Sequence, residues 1–276
     1  MIPFEFDYVR PAQAAEAVHA VCAARSDGRQ AVFYGGGTEL LTRARQGSAR
    51  FDRAVDLKGV RECQPLGLEG GRLVVGAART LAEVCEADPW PFLSAAAGRV
   101  ADHTIRRQIT FGGHLGGRIH YREAALPLML VGAEALVADP DGLHTVAFDD
   151  VYDGSLHLAP DAFVAQVRVD RDVLDWPFSC VKRTRLDWVD YPLVTLAAVD
   201  DGDGVRVAAA GLYDVPVRLT EVEDALADSG GSPAERAARA LRQLPRPPLD
   251  DVHGTAAYRA FVLEGMLADM VAELGR

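Results

Sequence analysis

The chain has 276 residues, 49% of them hydrophobic, and a formal net charge of −11. This length allows one large or two modest domains with a substantial buried core. The negative charge argues against general nucleic-acid binding, which depends on basic side chains that neutralise phosphates. No apolar run reaches the roughly 18–20 residues of a membrane span, and acids stand near the N-terminus where a signal peptide would be basic. We therefore expect a cytoplasmic protein.

The cysteines are too far apart to form a cluster in sequence. They are Cys22, Cys63, Cys85 and Cys180, and no two of them form a CxxC pair. A zinc site, an iron–sulfur cluster held by this chain alone, and a disulfide framework are therefore all disfavoured.

The first region, up to about residue 57, alternates helices and strands. Pro11 is predicted to open a helix with Ala14, Val18, Val21 and Cys22 on one face. A strand over 31–34 then enters three consecutive glycines, which a short helix and a strand over 54–57 follow.

The second region mixes strands and helices, and the third ends in a long helix. From residue 58 we predict a strand over 73–75, a capping box from Thr80 to Glu83, a helix over 91–102, and a hairpin pairing 135–138 with 145–148. From about residue 176 we predict a hairpin around 201–204, a capping box from Thr220 to Glu223, a proline-rich linker over 245–248, and a helix from Thr255. The apolar residues of this last helix are Ala257, Phe261, Leu263, Met266, Leu267, Met270 and Val271.

The glycine triplet Gly35, Gly36 and Gly37 needs a physical reason, because glycine costs roughly 0.5–1 kcal/mol relative to alanine in regular structure. Either the backbone turns sharply there or something lies closer to it than a Cβ allows. A P-loop is excluded, because Thr38 and Glu39 stand where Lys and Ser or Thr are required. A Rossmann fingerprint remains an alternative: Asp56 has the position of the ribose-binding acid, but Leu40 replaces the third glycine.

A second glycine-rich loop, Thr110-Phe111-Gly112-Gly113-His114, follows the basic segment 105–108. Backbone N–H groups in such loops bind anions, and threonine hydroxyls add hydrogen-bonding capacity. Two loops of this kind could hold one extended ligand with a diphosphate between them. The alternative is that both are ordinary turns.

Several motifs in order resemble the FAD-binding medium subunit of the molybdenum hydroxylases, the family of xanthine dehydrogenase and molybdenum carbon monoxide dehydrogenase. They are Phe4-x-Phe6-x-Tyr8-x-Arg10-Pro11, the first glycine loop through Leu41, the run from Ile105 to His114, Leu126-Pro127, Phe178 to Arg183, Asp190 to Val194, and Asp250 to Arg259. Together these matches cover nearly the whole chain.

The resemblance implies an α+β fold: a two-subdomain FAD-binding domain of the PCMH type, followed by a smaller α+β C-terminal domain with an antiparallel sheet and helices. The expected boundaries are 1–57, 58–175 and 176–276. FAD would lie between the two subdomains with its isoalloxazine facing the C-terminal domain. In the family, electrons come from a large molybdenum-cofactor subunit through two 2Fe-2S clusters of a small subunit, and this flavin passes them to NAD, a quinone, oxygen or another acceptor. No catalytic residue and no metal ligand are expected on this chain.

The resemblance also assigns cofactor-binding residues. They are Phe33, Tyr34, Gly35, Gly36, Gly37, Thr38, Glu39 and Leu40 in the first loop, Arg106, Thr110, Phe111, Gly112, Gly113 and His114 around the second, and Glu123, Val164 and Lys182. Lys182 would lie near the isoalloxazine, where its charge would stabilise anionic reduced flavin. The alternative for Lys182 is a solvated strand edge beside Arg183 and Arg185.

This sequence departs from the family pattern at several positions. Ala125 replaces the family's aspartate, and Glu123 is the candidate to substitute for it; Arg107, Ile109 and His114 alter the second loop. A metal triad of His103, His114 and His120 is disfavoured, because its spacing fits no common motif. A scaffold of the same fold that has lost FAD and only docks partner subunits therefore remains an alternative, whereas a self-contained oxidase is disfavoured because no substrate pocket or base is evident.

Overall fold

The computed structural model describes residues 2–119, 121–186 and 189–275. Within these ranges the chain forms two compact units built from interleaved segments. The N-terminal unit contains 2–89, 103–119 and 132–171, and the C-terminal unit contains 90–102, 121–131, 172–186 and 189–275. The predicted α+β class is confirmed.

In chain order the strands are β1 (Asp7–Val9), β2 (Ala31–Tyr34), β3 (Arg53–Asp56), β4 (Leu66–Glu69), β5 (Arg72–Gly76), β6 (Glu134–Asp139), β7 (Gly142–Ala147), β8 (Phe163–Asp170), β9 (Phe178–Thr184), β10 (Pro192–Asp200), β11 (Val205–Ala210) and β12 (Val217–Arg218). The helices are α1 (Ala14–Ser26), α2 (Thr38–Arg45), α3 (Leu81–Ala87), α4 (Pro91–Ala97), α5 (His103–Arg106), α6 (Phe111–Gly116), α7 (Phe148–Val151), α8 (Thr220–Ala227), α9 (Pro233–Leu241) and α10 (Ala256–Glu273).

The N-terminal unit contains two sheets. A parallel sheet has the order β1-β3-β2, and an antiparallel sheet has the order β4-β5-β8-β6-β7. The apolar face of α1 contributes to one core with residues of both sheets, in which Val18 and Val21 join Val55 and Ala165. Because β2 and β3 are parallel neighbours, their carboxyl ends meet at one edge, where the first glycine loop begins.

The predicted start of α1 is wrong by three residues. The helix begins at Ala14 rather than Pro11, because the Glu16 carboxylate accepts the backbone N–H groups of Ala12 and Gln13 and holds them in the preceding turn. The capping box of Thr80 and Glu83 is confirmed, since each side chain accepts the other residue's backbone N–H.

The C-terminal unit places helices on an antiparallel sheet with the order β12-β11-β10-β9. Residues of β10 and β11 share a buried core with α8, α9 and α10, including Leu196, Val207, Leu226 and Leu267. Phe261 of α10 stays 71% exposed. At β9, Phe92 of α4 stacks on Phe178 with ring centroids 4.9 Å apart.

Two helix predictions in this part of the chain are wrong. The helix predicted over 91–102 ends at Ala97, and Ala101 further on has a left-handed backbone with φ 45°. The capping box predicted from Thr220 does not form, because Glu223 instead binds the N–H of Val207 and the guanidinium of Arg218.

Candidate functional site: a cavity between two glycine loops

The first glycine loop joins β2 to α2 and approaches other protein atoms very closely. Gly37 has φ +73°, and a Cβ there would lie 2.5 Å from the Tyr34 hydroxyl. A Cβ on Gly36 would lie only 1.7 Å from the carbonyl oxygen of Gln108. Both explanations for the triplet therefore apply: the chain turns at Gly37, and the second loop's backbone approaches Gly36.

Thr110 links the two loops through one hydroxyl. Its Oγ1 accepts the N–H of Gly36 and the N–H of Gly113, both at 3.2 Å, and the residue is 1% exposed. The second of these bonds caps α6 at its first turn. Gly112 donates to the Ala77 carbonyl at 2.9 Å, which anchors the second loop beyond the end of β5. The loops are therefore held together before any ligand binds.

Replacing Thr110 with valine should uncouple the loops. Valine has a similar shape but no acceptor, so two part-buried N–H groups lose their hydrogen bonds, each worth about 0.5–1.5 kcal/mol in the free energy of unfolding. We also expect weaker binding of FAD, the cofactor that the sequence resemblance implies, as measured by titrating the protein with FAD. Thr110→Ser keeps the hydroxyl and is the control; equal stability and affinity in the valine and serine variants would contradict this role.

A cavity of about 430 Å³ lies beside the loops, within the volume range typical of ligand sites. Both glycine loops line it, together with Phe33 and the first turn of α2. An apolar wall is formed by Leu156, Leu158, Ala159, Pro160, Ala162, Phe163 and Val164. The cations Arg43 and Arg118 also border it.

The N-terminus of α2 gives this cavity its anion-binding character. Gly37, Thr38, Glu39 and Leu40 line the cavity, and within the described ranges no side-chain oxygen caps the helix there. A helix leaves its first N–H groups without intrahelical partners, and its dipole is positive at this end. Donors, dipole and two arginines together fit a diphosphate.

Glu39 acts differently from its loop neighbours. Its Oε2 accepts the N–H groups of Arg118 and Ile119 at 2.7 and 3.3 Å, and its Oε1 lies 3.7 Å from the Arg43 guanidinium. Glu39 therefore ties the segment after the second loop to α2. Glu39 therefore contributes to the cavity by holding these two parts of its border together.

Four residues predicted to bind the cofactor do not line the cavity. Tyr34, Arg106, Phe111 and His114 are not among the described residues that line it, and Phe111 is fully buried. Of the disfavoured histidine triad, His120 falls outside the described residues and His103 lies 3.7 Å from Glu86. Across the described ranges, no group of three His, Cys, Asp or Glu residues is arranged to hold a metal ion.

Asp56, the acid of the Rossmann alternative, already has hydrogen-bond partners within the protein. It is 1% exposed, accepts a short hydrogen bond from the Tyr8 hydroxyl, and lies 2.8 Å from Lys58 Nζ. It is therefore not available for a ribose hydroxyl, and the Rossmann alternative is wrong.

Glu123 and Lys182 form a buried ion pair in the C-terminal unit. Lys182 Nζ lies 3.2 Å from Glu123 Oε1 and donates to the Arg99 carbonyl at 2.8 Å, and the two side chains are 5% and 4% exposed. Burial raises the pKa of Glu123, although the Lys182 charge opposes this shift. The solvated-edge alternative for Lys182 is therefore wrong, and its charge faces a carboxylate. A cavity of about 340 Å³ adjoins Lys182, Arg99 and Thr184 in the same unit.

Sequence reasoning missed the wall over 156–163 and the two arginines. Leu156, Leu158 and Pro160 lie in an irregular segment without helical or strand periodicity. The one signal in the sequence for this wall was the presence of apolar residues in a segment otherwise rich in turn-forming residues.

Comparison with known proteins identifies the family. The family described as FAD binding domain in molybdopterin dehydrogenase matches residues 4–171, and that described as CO dehydrogenase flavoprotein C-terminal domain matches residues 183–274. The chain belongs to the FAD-binding family of the molybdopterin dehydrogenases. It is an oxidoreductase subunit, and its cofactor is FAD.

Relatives with curated names agree with this family. The carbon monoxide dehydrogenase medium chain of Afipia carboxidovorans is 26% identical over 97% of this chain and 96% of its own length. The caffeine dehydrogenase subunit beta of Pseudomonas sp. is 25% identical over 81% and 78%, respectively. The putative xanthine dehydrogenase FAD-binding subunit of Escherichia coli is 29% identical over 55% of this chain and about half of its own length, 52%.

Solved structures share the fold. Carbon monoxide dehydrogenase from Oligotropha carboxidovorans matches with a TM-score of 0.86 at 23% identity, covering 99% of both chains. Quinoline 2-oxidoreductase from Pseudomonas putida matches with a TM-score of 0.84 at 23% identity, over 99% of this chain and 98% of that one. Among the described residues, no helix combines the length and apolarity required to span a membrane.

Proposed function

We propose that this chain is the FAD-carrying electron-transfer subunit of a molybdenum hydroxylase complex. It would receive electrons from the 2Fe-2S clusters of a small partner subunit, which a large molybdenum-cofactor subunit reduces, and pass them to an external acceptor such as NAD, a quinone or oxygen. The observation that carries the proposal is the cavity in which two linked glycine loops and the uncapped α2 N-terminus meet. The family match over residues 4–171 supports it.

Each group of residues around the cavity would have a distinct part in holding the cofactor. The N–H groups at the start of α2 would receive the diphosphate, while Arg43 and Arg118 would add positive charge at its border. Phe163 and Val164 would cover apolar parts of the cofactor. FAD, when bound, supplies the redox chemistry, and the protein supplies its position and its electrostatic surroundings.

The cysteine arrangement supports a division of labour between chains. Cys22, Cys63, Cys85 and Cys180 form no disulfide bond, and burial raises the pKa of Cys63 and of Cys180 to about 12. A 2Fe-2S cluster needs four thiolate or comparable ligands close together, and the described residues contain no group of three His, Cys, Asp or Glu residues arranged to hold a metal ion. A cluster that reduces this flavin therefore belongs on another polypeptide.

The test is purification of the native complex followed by rapid-mixing spectroscopy. We expect the chain to co-purify with a small protein carrying 2Fe-2S clusters and a large molybdenum protein, with one FAD per copy. Substrate of the large subunit should reduce the flavin in the complex but not in the isolated, FAD-loaded chain. Full activity of the isolated chain as a homo-oligomer would overturn the proposal, and a complex without flavin would favour the scaffold alternative.

A further inference from the structure

The chain uses lysine at only two positions, Lys58 and Lys182, among 29 lysine and arginine residues. Each of these ammonium groups pairs with a buried carboxylate and also donates to a backbone carbonyl. A compact ammonium can direct its protons into a narrow space that a planar guanidinium does not fit. Lys58 is the lysine that the sequence comparison left without a role.

Lys58 lies directly behind the first glycine loop. Its Nζ donates to the Gly35 carbonyl at 2.7 Å and lies 2.8 Å from Asp56 Oδ1, and it lies 4.1 Å from the centre of the Tyr34 ring. Lys58 itself does not line the cavity. Its charge is paired with that of Asp56, so its main effect on a ligand would act through the loop.

The carboxylate that holds Lys58 is itself fixed. Burial alone would raise the pKa of Asp56, but hydrogen bonds from Lys58 and Tyr8 outweigh burial and hold that pKa below its usual value. The hydrogen bond to Asp56, with burial, raises the pKa of Tyr8 to about 12, so its hydroxyl stays a donor at neutral pH. Asp56 thus remains ionised and keeps Lys58 in place.

One peptide group connects this network to the second loop. The Gly35 carbonyl and the Gly36 N–H belong to the same planar peptide and point in opposite directions. Lys58 holds the carbonyl, and Thr110 Oγ1 accepts the N–H at 3.2 Å. Fixing this peptide at both ends sets the direction of the chain as it enters Gly37 and the first turn of α2.

We propose that Lys58 is a positioning residue for FAD, which fixes the Gly35–Gly36 peptide and so pre-orients the first loop for the cofactor's diphosphate. The proposal rests on FAD being the cofactor. Lys58 makes no contact with FAD itself; it removes loop conformations that binding would otherwise have to exclude, and a preorganised site binds more tightly.

The test compares FAD affinity in three variants of the full chain. Lys58→Met keeps the aliphatic stem and removes the ammonium, and Lys58→Met with Asp56→Asn also removes the stranded carboxylate. We expect both variants to bind FAD about 10- to 100-fold more weakly than the parent. The melting temperature of the double variant should lie closer to that of the parent than the melting temperature of the single variant does. Arg29→Met is the control for loss of a cation of similar exposure, since the Arg29 and Lys58 side chains are 36% and 35% exposed. Arg29 also joins a carboxylate, on Asp7, to a backbone carbonyl, on Asp52.

A second readout distinguishes positioning from simple stabilisation. Acetylation by an amine-reactive reagent removes the Lys58 charge, and mass spectrometry measures its rate in the parent chain with and without FAD. If FAD favours the loop conformation in which Lys58 is held, FAD should protect the Lys58 amine from acetylation, and we expect the rate to fall at least several-fold.

The outcomes separate this proposal from the assignment of the cofactor. Parent-like FAD affinity in both Lys58 variants, or an acetylation rate that FAD leaves unchanged, would overturn the positioning role. A parent chain that binds no FAD would overturn the cofactor's place in this cavity, and the positioning role with it.

Discussion

Gly36→Ala is expected to remove most of the chain's FAD affinity, although it adds only a methyl group. The new Cβ would lie 1.7 Å from the Gln108 carbonyl oxygen, so the two loops would have to separate. Overpacking of this kind costs about 1–3 kcal/mol, and the same loss in binding free energy is about 5- to 150-fold in affinity. Titration of apoprotein with FAD and urea unfolding measure the two effects, and we expect the far-UV circular dichroism to stay near that of the parent.

The matched control is Gly265→Ala in α10, where an added Cβ meets no atom within 4 Å. Alanine replaces glycine in a helix interior there, so the free energy of unfolding should rise by up to about 1 kcal/mol. FAD affinity should not change. Equal FAD affinity in the Gly36 and Gly265 variants would refute the close packing of the two loops.

Lys182→Met is expected to give the largest loss of stability among these substitutions. It leaves the Glu123 carboxylate buried without its cation, and breaking a buried ion pair from one side costs about 3–5 kcal/mol. The Arg99 carbonyl loses its donor from Lys182 as well. Urea unfolding of the full chain at several pH values measures the loss.

The pH dependence identifies Glu123 as the cause. Because burial raises the folded-state pKa of Glu123 above its usual value, its contribution to stability is largest below that usual value and falls as pH rises through the folded pKa. Removing Lys182 removes the charge that opposes this shift. The stability deficit of Lys182→Met should therefore grow from acidic to neutral pH, and adding Glu123→Gln should reduce it at neutral pH. A deficit that is independent of pH and unaffected by the second substitution would rule out the ion pair as its source.

Local signals in the sequence predicted the elements and the two loops well. The Thr80 capping box and the glycine loops depend on residues within a few positions of each other, so their patterns are visible in one stretch of sequence. The Thr220 box failed because the Val207 N–H and the Arg218 guanidinium both bind Glu223, and a pattern of cap residues reveals neither partner. Local patterns predict structure only where no tertiary partner competes.

The hydrogen bonds and ion pairs within the site could not be predicted from the sequence, because they join residues that are far apart in the chain. Glu39 was predicted to bind the cofactor, yet its carboxylate holds backbone groups about 80 positions further on. Lys182 was predicted as a lone positive charge, and only the fold brings Glu123 to it. Lys58 belongs to no recognisable sequence motif, because its proposed role depends on the direction of one peptide group in the folded loop.

The interleaved units have a consequence for synthesis on the ribosome. Residues 90–102 belong to the C-terminal unit, but β9, on which α4 packs, is translated about 80 residues later. At about 5–20 residues per second, the segment containing Trp90, Phe92 and Leu93, all 1% exposed or less in the finished fold, waits several seconds without its apolar partners. A nascent chain in that interval offers a chaperone an apolar segment, and a gene truncated after residue 171 would leave that segment permanently uncovered.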